Sequence, residues 1–120
     1  MSTFSVIERT SARYLATLED ETETPVLLSA IDTAKLTLTD VETGTTINSR
    51  SEQDIKNANN VTIHATSGLL TWLLQPADSV IVTAGNDHEL HRAVFDIVFS
   101  TTQRTIHEVY FLVENITGVS

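Results

Sequence analysis

One residue in three along this chain is β-branched, since 39 of its 120 residues are Thr, Val or Ile. Branching at Cβ restricts the χ1 angle and lowers helix propensity, whereas the same side chains pack well on a pleated sheet. Hydrophobic residues make up 41% of the chain, and 120 residues are enough for one domain with a single core. The sequence therefore predicts an all-β domain.

Apolar and polar residues alternate in several short segments that are separated by turn residues. The segments with this period of two are 11–18, 35–40, 61–65, 90–100 and 109–113, and the apolar segment 69–75 follows 61–65 across a turn at Gly68, which predicts a hairpin. Long helical patterns do not alternate with them, so a parallel sheet with crossover helices is not expected. The pattern favours an antiparallel, immunoglobulin-like β-sandwich of six to eight strands.

One segment favours a helix instead. Ser51 is followed three residues later by Asp54, which resembles a capping box, and the stretch Ile55–Ala58 follows it. We therefore expect one short helical insertion here. Residues 1–10 are expected to form an N-terminal arm or edge strand, residues 11–116 the sandwich, and residues 117–120 a C-terminal tail.

The charge balance disfavours two classes of partner. Seven basic residues stand against 16 acidic ones, a net charge of −9, which repels phosphate backbones and anionic lipids. The apolar runs are far shorter than the roughly 20 residues that a membrane helix needs, and the first residues lack a signal-peptide pattern. We expect no sequence-specific nucleic acid as ligand, no membrane, and synthesis in a cytoplasm.

The segment 87–91 (Asp-His-Glu-Leu-His) concentrates residue types that bind metals. Its two histidines are three residues apart, whereas the helical zinc motif needs four, and on a strand this spacing points them to opposite faces. Only Glu89 and His91 share a side, which gives two ligands. We therefore predict no metal site.

The remaining residues with catalytic potential have simpler interpretations. His64 and His107 are expected to be surface or interface residues, and Trp72 shares a strand face with other apolar residues, which favours a core position. The carboxylates of the C-terminal hairpin, Asp96, Glu108 and Glu114, lie near arginines as cross-strand charge pairs do. We predict a protein that is not an enzyme, with no catalytic residues and no cofactor.

Two predicted strands carry apolar residues on both faces, which exceeds what a half-exposed sheet needs. We predict that the surplus marks a subunit interface. Its residues are Leu69, Leu73, Leu90, Val94 and Val98.

The order of several short segments resembles a known family of proteins. The segments are Pro25–Ala30, Lys35–Leu38, Ser67–Leu69, Leu74–Ser79 and Val109–Val113. In this order and spacing, and most clearly between Asn60 and Asn115, the chain resembles small bacteriophage virion proteins: neck, tail and baseplate adaptor modules and related immunoglobulin-like accessory domains.

The resemblance implies a structural role without catalysis. It implies a homo-oligomer in the neck, tail or baseplate that connects other capsid or tail proteins, located in the virion and assembled in the cytoplasm of the bacterial host. Two alternatives remain open: a capsid decoration protein, and a module that binds carbohydrate or a cell surface.

Overall fold

The computed structural model describes residues 2–20 and 22–115, which form two β-sheets. Eight strands are found in this part of the chain. They are β1 (Ser2–Ile7), β2 (Ala12–Thr17), β3 (Ile31–Asp40), β4 (Gln53–Asp54), β5 (Val61–Ile63), β6 (Leu69–Leu74), β7 (His88–Phe99) and β8 (Gln103–Glu114). Short 3-10 turns span Leu28–Ala30 and Pro76–Ser79. Among the described residues, no helix is long and apolar enough to cross a membrane.

The strand order is that of an immunoglobulin-like sandwich. One sheet has the order β1-β8-β7-β3-β4 and the other the order β2-β6-β5. The predicted all-β, immunoglobulin-like fold is therefore confirmed, and the two hairpins β5–β6 and β7–β8 pair as the sequence predicts. All pairs of strands are antiparallel except β1, which runs parallel to β8 at the edge of the five-stranded sheet. The predicted tail at 117–120 lies outside the described residues.

The predicted helical insertion at 51–58 is wrong. Gln53 and Asp54 form β4, which pairs with Leu36 and Lys35 of β3, and the N–H of Ile55 donates to the carbonyl of Ala34 at 2.9 Å. Ile55 is completely buried as a result. The edge of β3 supplies hydrogen bonds and burial that an isolated helical turn cannot match, so tertiary pairing overrides the local capping pattern.

The core lies between the sheets, and aromatic rings occupy its centre. Trp72 of β6 is fully buried, as the sequence predicts, with its ring centroid 5.6 Å from that of Phe95 and 6.1 Å from that of Phe111. Both contacts are edge-to-face, a favourable geometry for aromatic pairs. Along β7 every second residue is buried, so the alternation in the sequence correctly identifies the face that packs inward.

A buried ion pair closes one side of this core. Arg50 is 1% exposed, and its Nε donates to the Asp78 carboxylate at 2.5 Å while one of its terminal nitrogens donates at 3.1 Å. The guanidinium also lies 5.8 Å from the Trp72 ring centroid. The pair joins the loop after β3 to the turn after β6, and burial makes it sensitive to loss of either partner.

Candidate assembly surfaces

The five residues predicted to form an interface lie on two opposite faces of the sandwich. Leu69 and Leu73 of β6 project from the outer face of the three-stranded sheet. Leu90, Val94 and Val98 of β7 project from the outer face of the five-stranded sheet. One flat contact therefore cannot use all five, and each group has to be considered as a separate surface.

The outer face of the three-stranded sheet carries a third exposed leucine that the prediction left out. Leu15 of β2 pairs with Thr71 of β6, so it lies diagonally between Leu69 and Leu73. The exposed fractions of Leu15, Leu69 and Leu73 are 49%, 37% and 45%. Diagonal neighbours on one face of an antiparallel pair are within reach of long side chains. We call these three residues the leucine patch.

Charge is distributed unevenly around the leucine patch. None of the 16 acidic residues of the chain falls within β2, β5 or β6, and Arg13 is the charged residue of these three strands. Three neighbours of the leucines on this face are threonines, Thr17, Thr62 and Thr71, and the fourth is Arg13, which lies directly opposite Leu73. An apolar face with depleted charge in a strongly acidic chain has the composition found at the centre of protein interfaces.

The outer face of the five-stranded sheet has the opposite character. Arg92 bonds to Glu108, and Arg104 bonds to Asp96 at 2.7 and 2.8 Å, as the sequence predicts for cross-strand charge pairs. Hydrogen bonding by these arginines lowers the pKa of each carboxylate below its ordinary value.

These ion pairs surround the predicted interface residues on this face. Val94 lies opposite Glu108 and Val98 opposite Arg104, and both valines are half-buried. Leu90 is 37% exposed and lies opposite Leu112, beyond the charge pairs. The valines are thus partly covered by charged neighbours, whereas the leucine patch is open.

A buried carboxylate–histidine cluster lies at one end of the same sheet. Glu89 and His91 share the inner side of β7, as the sequence predicts, and the register of β3 places Asp40 directly opposite His91. The Nε2 of His91 is 3.0 Å from Oε1 of Glu89 and 3.7 Å from Oδ1 of Asp40. The sequence prediction of two potential ligands missed Asp40, because only the strand register brings this distant residue to His91.

In this cluster, both carboxylate oxygens of Glu89 are occupied by hydrogen bonds within the protein. Glu89 accepts the N–H groups of Val82 and Thr83 at 2.7 and 2.8 Å, the side-chain amide of Asn86 at 2.8 Å, and the contact with His91. Four contacts use the four lone-pair positions of a carboxylate. Burial raises the pKa of Glu89, but these hydrogen bonds together outweigh it and hold the pKa below its ordinary value.

His91 also lacks the second contact that metal-binding histidines have. Its Nδ1 is buried with no hydrogen-bond partner among the described residues. A histidine that binds a metal through one nitrogen nearly always donates the other N–H to an acceptor. The arrangement therefore favours an anchor that holds the loop before β7, and His88 lies outside it because its side chain is exposed on the other side of the strand.

The other two histidines are separate from this cluster. His64 is exposed, and its Nδ1 accepts the N–H groups of Thr66 and Ser67 at 3.3 and 3.1 Å in the turn before β6. His107 is half-buried on β8, and burial lowers its pKa. The structure does not bring either side chain into contact with a carboxylate among the described residues.

Comparison with known proteins finds a weak similarity to a solved structure. No family model and no curated protein sequence matches this chain. Among solved structures, the crystal structure of the N-terminal Ig1-2 module of the Drosophila receptor protein tyrosine phosphatase DLAR is similar, with a TM-score of 0.37 and 10% sequence identity. The match covers 95% of this chain and 44% of that one, so this chain spans less than half of its neighbour.

Proposed function

We propose that this protein is a structural component of a bacteriophage virion, without enzymatic activity, that oligomerises in the neck, tail or baseplate and connects other particle proteins. The observation that carries the assembly role is the leucine patch, because three exposed leucines lie together on a face whose strands contain no acidic residue. The virion assignment rests on the sequence resemblance of the segments between Pro25 and Val113.

The rest of the molecule suits such a role. Its core is closed by an aromatic cluster and a buried ion pair, and the outer face of the larger sheet is held by cross-strand ion pairs. A rigid β-framework lets an exposed face be presented in a fixed geometry, which reduces the entropy that binding costs. The partners are other copies of the chain and capsid or tail proteins.

The two alternatives differ in what they require. A capsid decoration protein would use the same kind of surface, and copy number in the particle separates it from a neck or tail component. A carbohydrate-binding module requires an exposed aromatic platform formed by Trp72 or Tyr110. Trp72 is fully buried, and Tyr110 is half-buried and hydrogen-bonded to Glu108 on the ion-paired face. The location of Trp72 therefore favours an assembly role over sugar binding.

The oligomeric state of the purified chain tests the assembly role. Native mass spectrometry should show a defined oligomer at micromolar concentration, and Leu73→Lys should weaken it because the substitution places a charge within the leucine patch. The matched control is Ile106→Lys, which makes the same kind of change at an exposed aliphatic residue on the opposite sheet. Ile106 is 53% exposed and lies opposite Asp96 on the ion-paired face, so its variant should leave the oligomer intact.

Peptide mass spectrometry of purified particles from the phage that encodes the chain should detect it at a fixed copy number. A protein that stays monomeric and is absent from particles would overturn the proposal. Presence in particles with a decoration-type copy number would favour the first alternative instead.

A further inference from the structure

Among the strands that end the two sheets in the described part of the chain, β2 has an unpaired edge suited to a further strand. Strand β2 is the terminal strand of the sheet β2-β6-β5 and pairs on one side only. The N–H of Leu18 donates to the carbonyl of Gly68 at 2.7 Å. The backbone N–H and C=O groups of residues at even positions along this strand therefore point toward β6. The N–H and C=O groups of Arg13, Leu15 and Thr17 therefore point to the open side.

The open edge continues past the end of β2. The N–H of Asp20 donates to the carbonyl of Thr24, and the N–H of Val26 donates to the carbonyl of Leu18, so the chain stays extended through Glu19. Glu19 and Pro25 face each other in this bridge as a non-hydrogen-bonded pair. The backbone N–H and C=O of Glu19 therefore point to the same open side as those of Thr17. The edge thus offers four outward residues at alternate positions, which are Arg13, Leu15, Thr17 and Glu19.

From this edge we infer that a second copy of the chain binds along β2 by antiparallel strand addition. The inference rests on the proposed assembly function and names one contact of the assembly, which adjoins the leucine patch. An exposed edge of this length is a template for pairing unless charges, a proline or a bulge block it. Strand β2 has no proline and no bulge, and its one charged residue, Arg13, is compatible with pairing if an unlike charge faces it. The pairing would join the two three-stranded sheets into one sheet of order β5-β6-β2-β2-β6-β5.

Charge complementarity selects the second copy as the occupant and sets the register. A two-fold axis at Ala16 places Arg13 of each copy opposite Glu19 of the other, and Leu15 opposite Thr17. All four outward residues then lie in hydrogen-bonded pairs. The two leucine patches become neighbours on one continuous outer face that lacks acidic residues within its strands.

The other sheet edges are less suited to this contact. Strands β4 and β5 have two and three residues, which is too short for a stable pairing. Strand β1 lies beneath β2, since the rings of Phe4 and Tyr14 stack with centroids 5.9 Å apart, and it has no charged residue. The unlike charges needed to fix a register are therefore available along β2.

A charge-reversal experiment tests the contact. Arg13→Glu places like charges opposite each other twice in the dimer, and we expect its dissociation constant to rise about tenfold in analytical ultracentrifugation. Glu19→Arg should have the same effect, and the double variant should restore binding. Within one chain these residues are six positions and about 20 Å apart, so restoration cannot come from an internal pair.

Cysteine cross-linking tests the register independently, because the chain has no cysteine. Ala16→Cys should form a disulfide-linked dimer under mild oxidation, since residues facing each other across a non-hydrogen-bonded pair are within disulfide range. Leu15→Cys should not cross-link in this register, and Thr71→Cys on the central strand β6 is the matched control. Circular dichroism confirms that each variant is folded.

The outcomes separate this inference from the proposed function. If the wild-type chain oligomerises but Arg13→Glu has no effect and Ala16→Cys forms no dimer, the edge contact is wrong and assembly uses another surface. Cross-linking of Leu15→Cys alone would overturn the register. A chain that is monomeric at about 100 µM overturns the contact, while its presence or absence in particles decides the proposed function separately.

Discussion

Replacing Asp78 by Asn tests whether the buried ion pair with Arg50 maintains the sandwich. The substitution keeps the volume of the side chain but removes the charge that faces a guanidinium 1% exposed to solvent. Asp78 accepts four hydrogen bonds, two of them from Arg50, one from the Gln75 N–H and one from the Asn48 amide, at 2.5 to 3.1 Å. In Asp78→Asn an NH2 group replaces one of the two oxygens that accept these bonds. Because NH2 is itself a hydrogen-bond donor, it cannot accept from the donors that surround it.

The expected cost follows from this geometry. Breaking a buried pair by neutralising one partner costs about 3–5 kcal/mol, because the remaining charge stays buried without compensation. A domain of this size has a total unfolding free energy of about 5–15 kcal/mol. Asp78→Asn should therefore remove a large share of the stability, and we expect a lower midpoint in urea with an unchanged slope.

The matched control is Asp96→Asn. Asp96 also forms an ion pair, with Arg104, whose side chain is 60% exposed, and exposed pairs contribute about 0–1 kcal/mol. Equal losses for Asp78→Asn and Asp96→Asn would refute the reasoning. A loss below about 1.5 kcal/mol for Asp78→Asn would refute it as well.

Two further predictions concern Glu89 and Gly68. Because the pKa of Glu89 is lower in the folded protein than its ordinary value, its contribution to stability is present above that ordinary value and is lost as the pH falls through the folded pKa. Glu89→Gln should therefore flatten the fall of the urea midpoint as the pH is lowered below 4.5. Gly68→Ala should destabilise the fold strongly, since the φ of Gly68 is +71° and an added Cβ would collide with the backbone oxygen of Leu18. Thermal unfolding should show a larger loss of stability for Gly68→Ala than for Gly44→Ala. Gly44 has a similar φ of +74° but open space around it, so its variant should lose only about 1 kcal/mol, and equal losses would contradict the steric argument.

The part of the fold that the sequence predicts is the part that local periodicity encodes. The alternation along 90–100 identifies the buried face of β7, and the turn at Gly68 identifies the β5–β6 hairpin. The helix predicted after Ser51 is wrong because a capping pattern reports only local preferences. The hydrogen bond from the N–H of Ile55 to the carbonyl of Ala34 joins residues far apart in sequence, and no local pattern contains it. Where local and long-range preferences agree, the sequence is sufficient.

Contacts between distant strands could not be derived in this way. Asp40 meets His91 through the β3–β7 register, Arg50 meets Asp78 across 28 positions, and β1 pairs in parallel with β8 near the other end of the chain. Each depends on the exact alignment of two elements, which a pattern within one segment does not contain. The candidate interface shows the same limit, because two groups of outward residues identified from the pattern proved to lie on opposite faces.

Net charge restricts how two copies of this chain approach each other. The molecule measures 47 × 24 × 22 Å, so two copies side by side have centres about 24 Å apart. Two bodies of charge −9 at that separation repel by an energy on the order of 1 kcal/mol at about 0.1 M salt. This repulsion is small enough for a contact to overcome, provided that the contact adds no repulsion of its own.

The strands β2, β5 and β6 contain no acidic residue, and the acid that borders them, Glu19, can face Arg13 of the other copy. The charge distribution therefore favours association through the leucine patch and its adjoining edge over any contact that opposes the acidic loops.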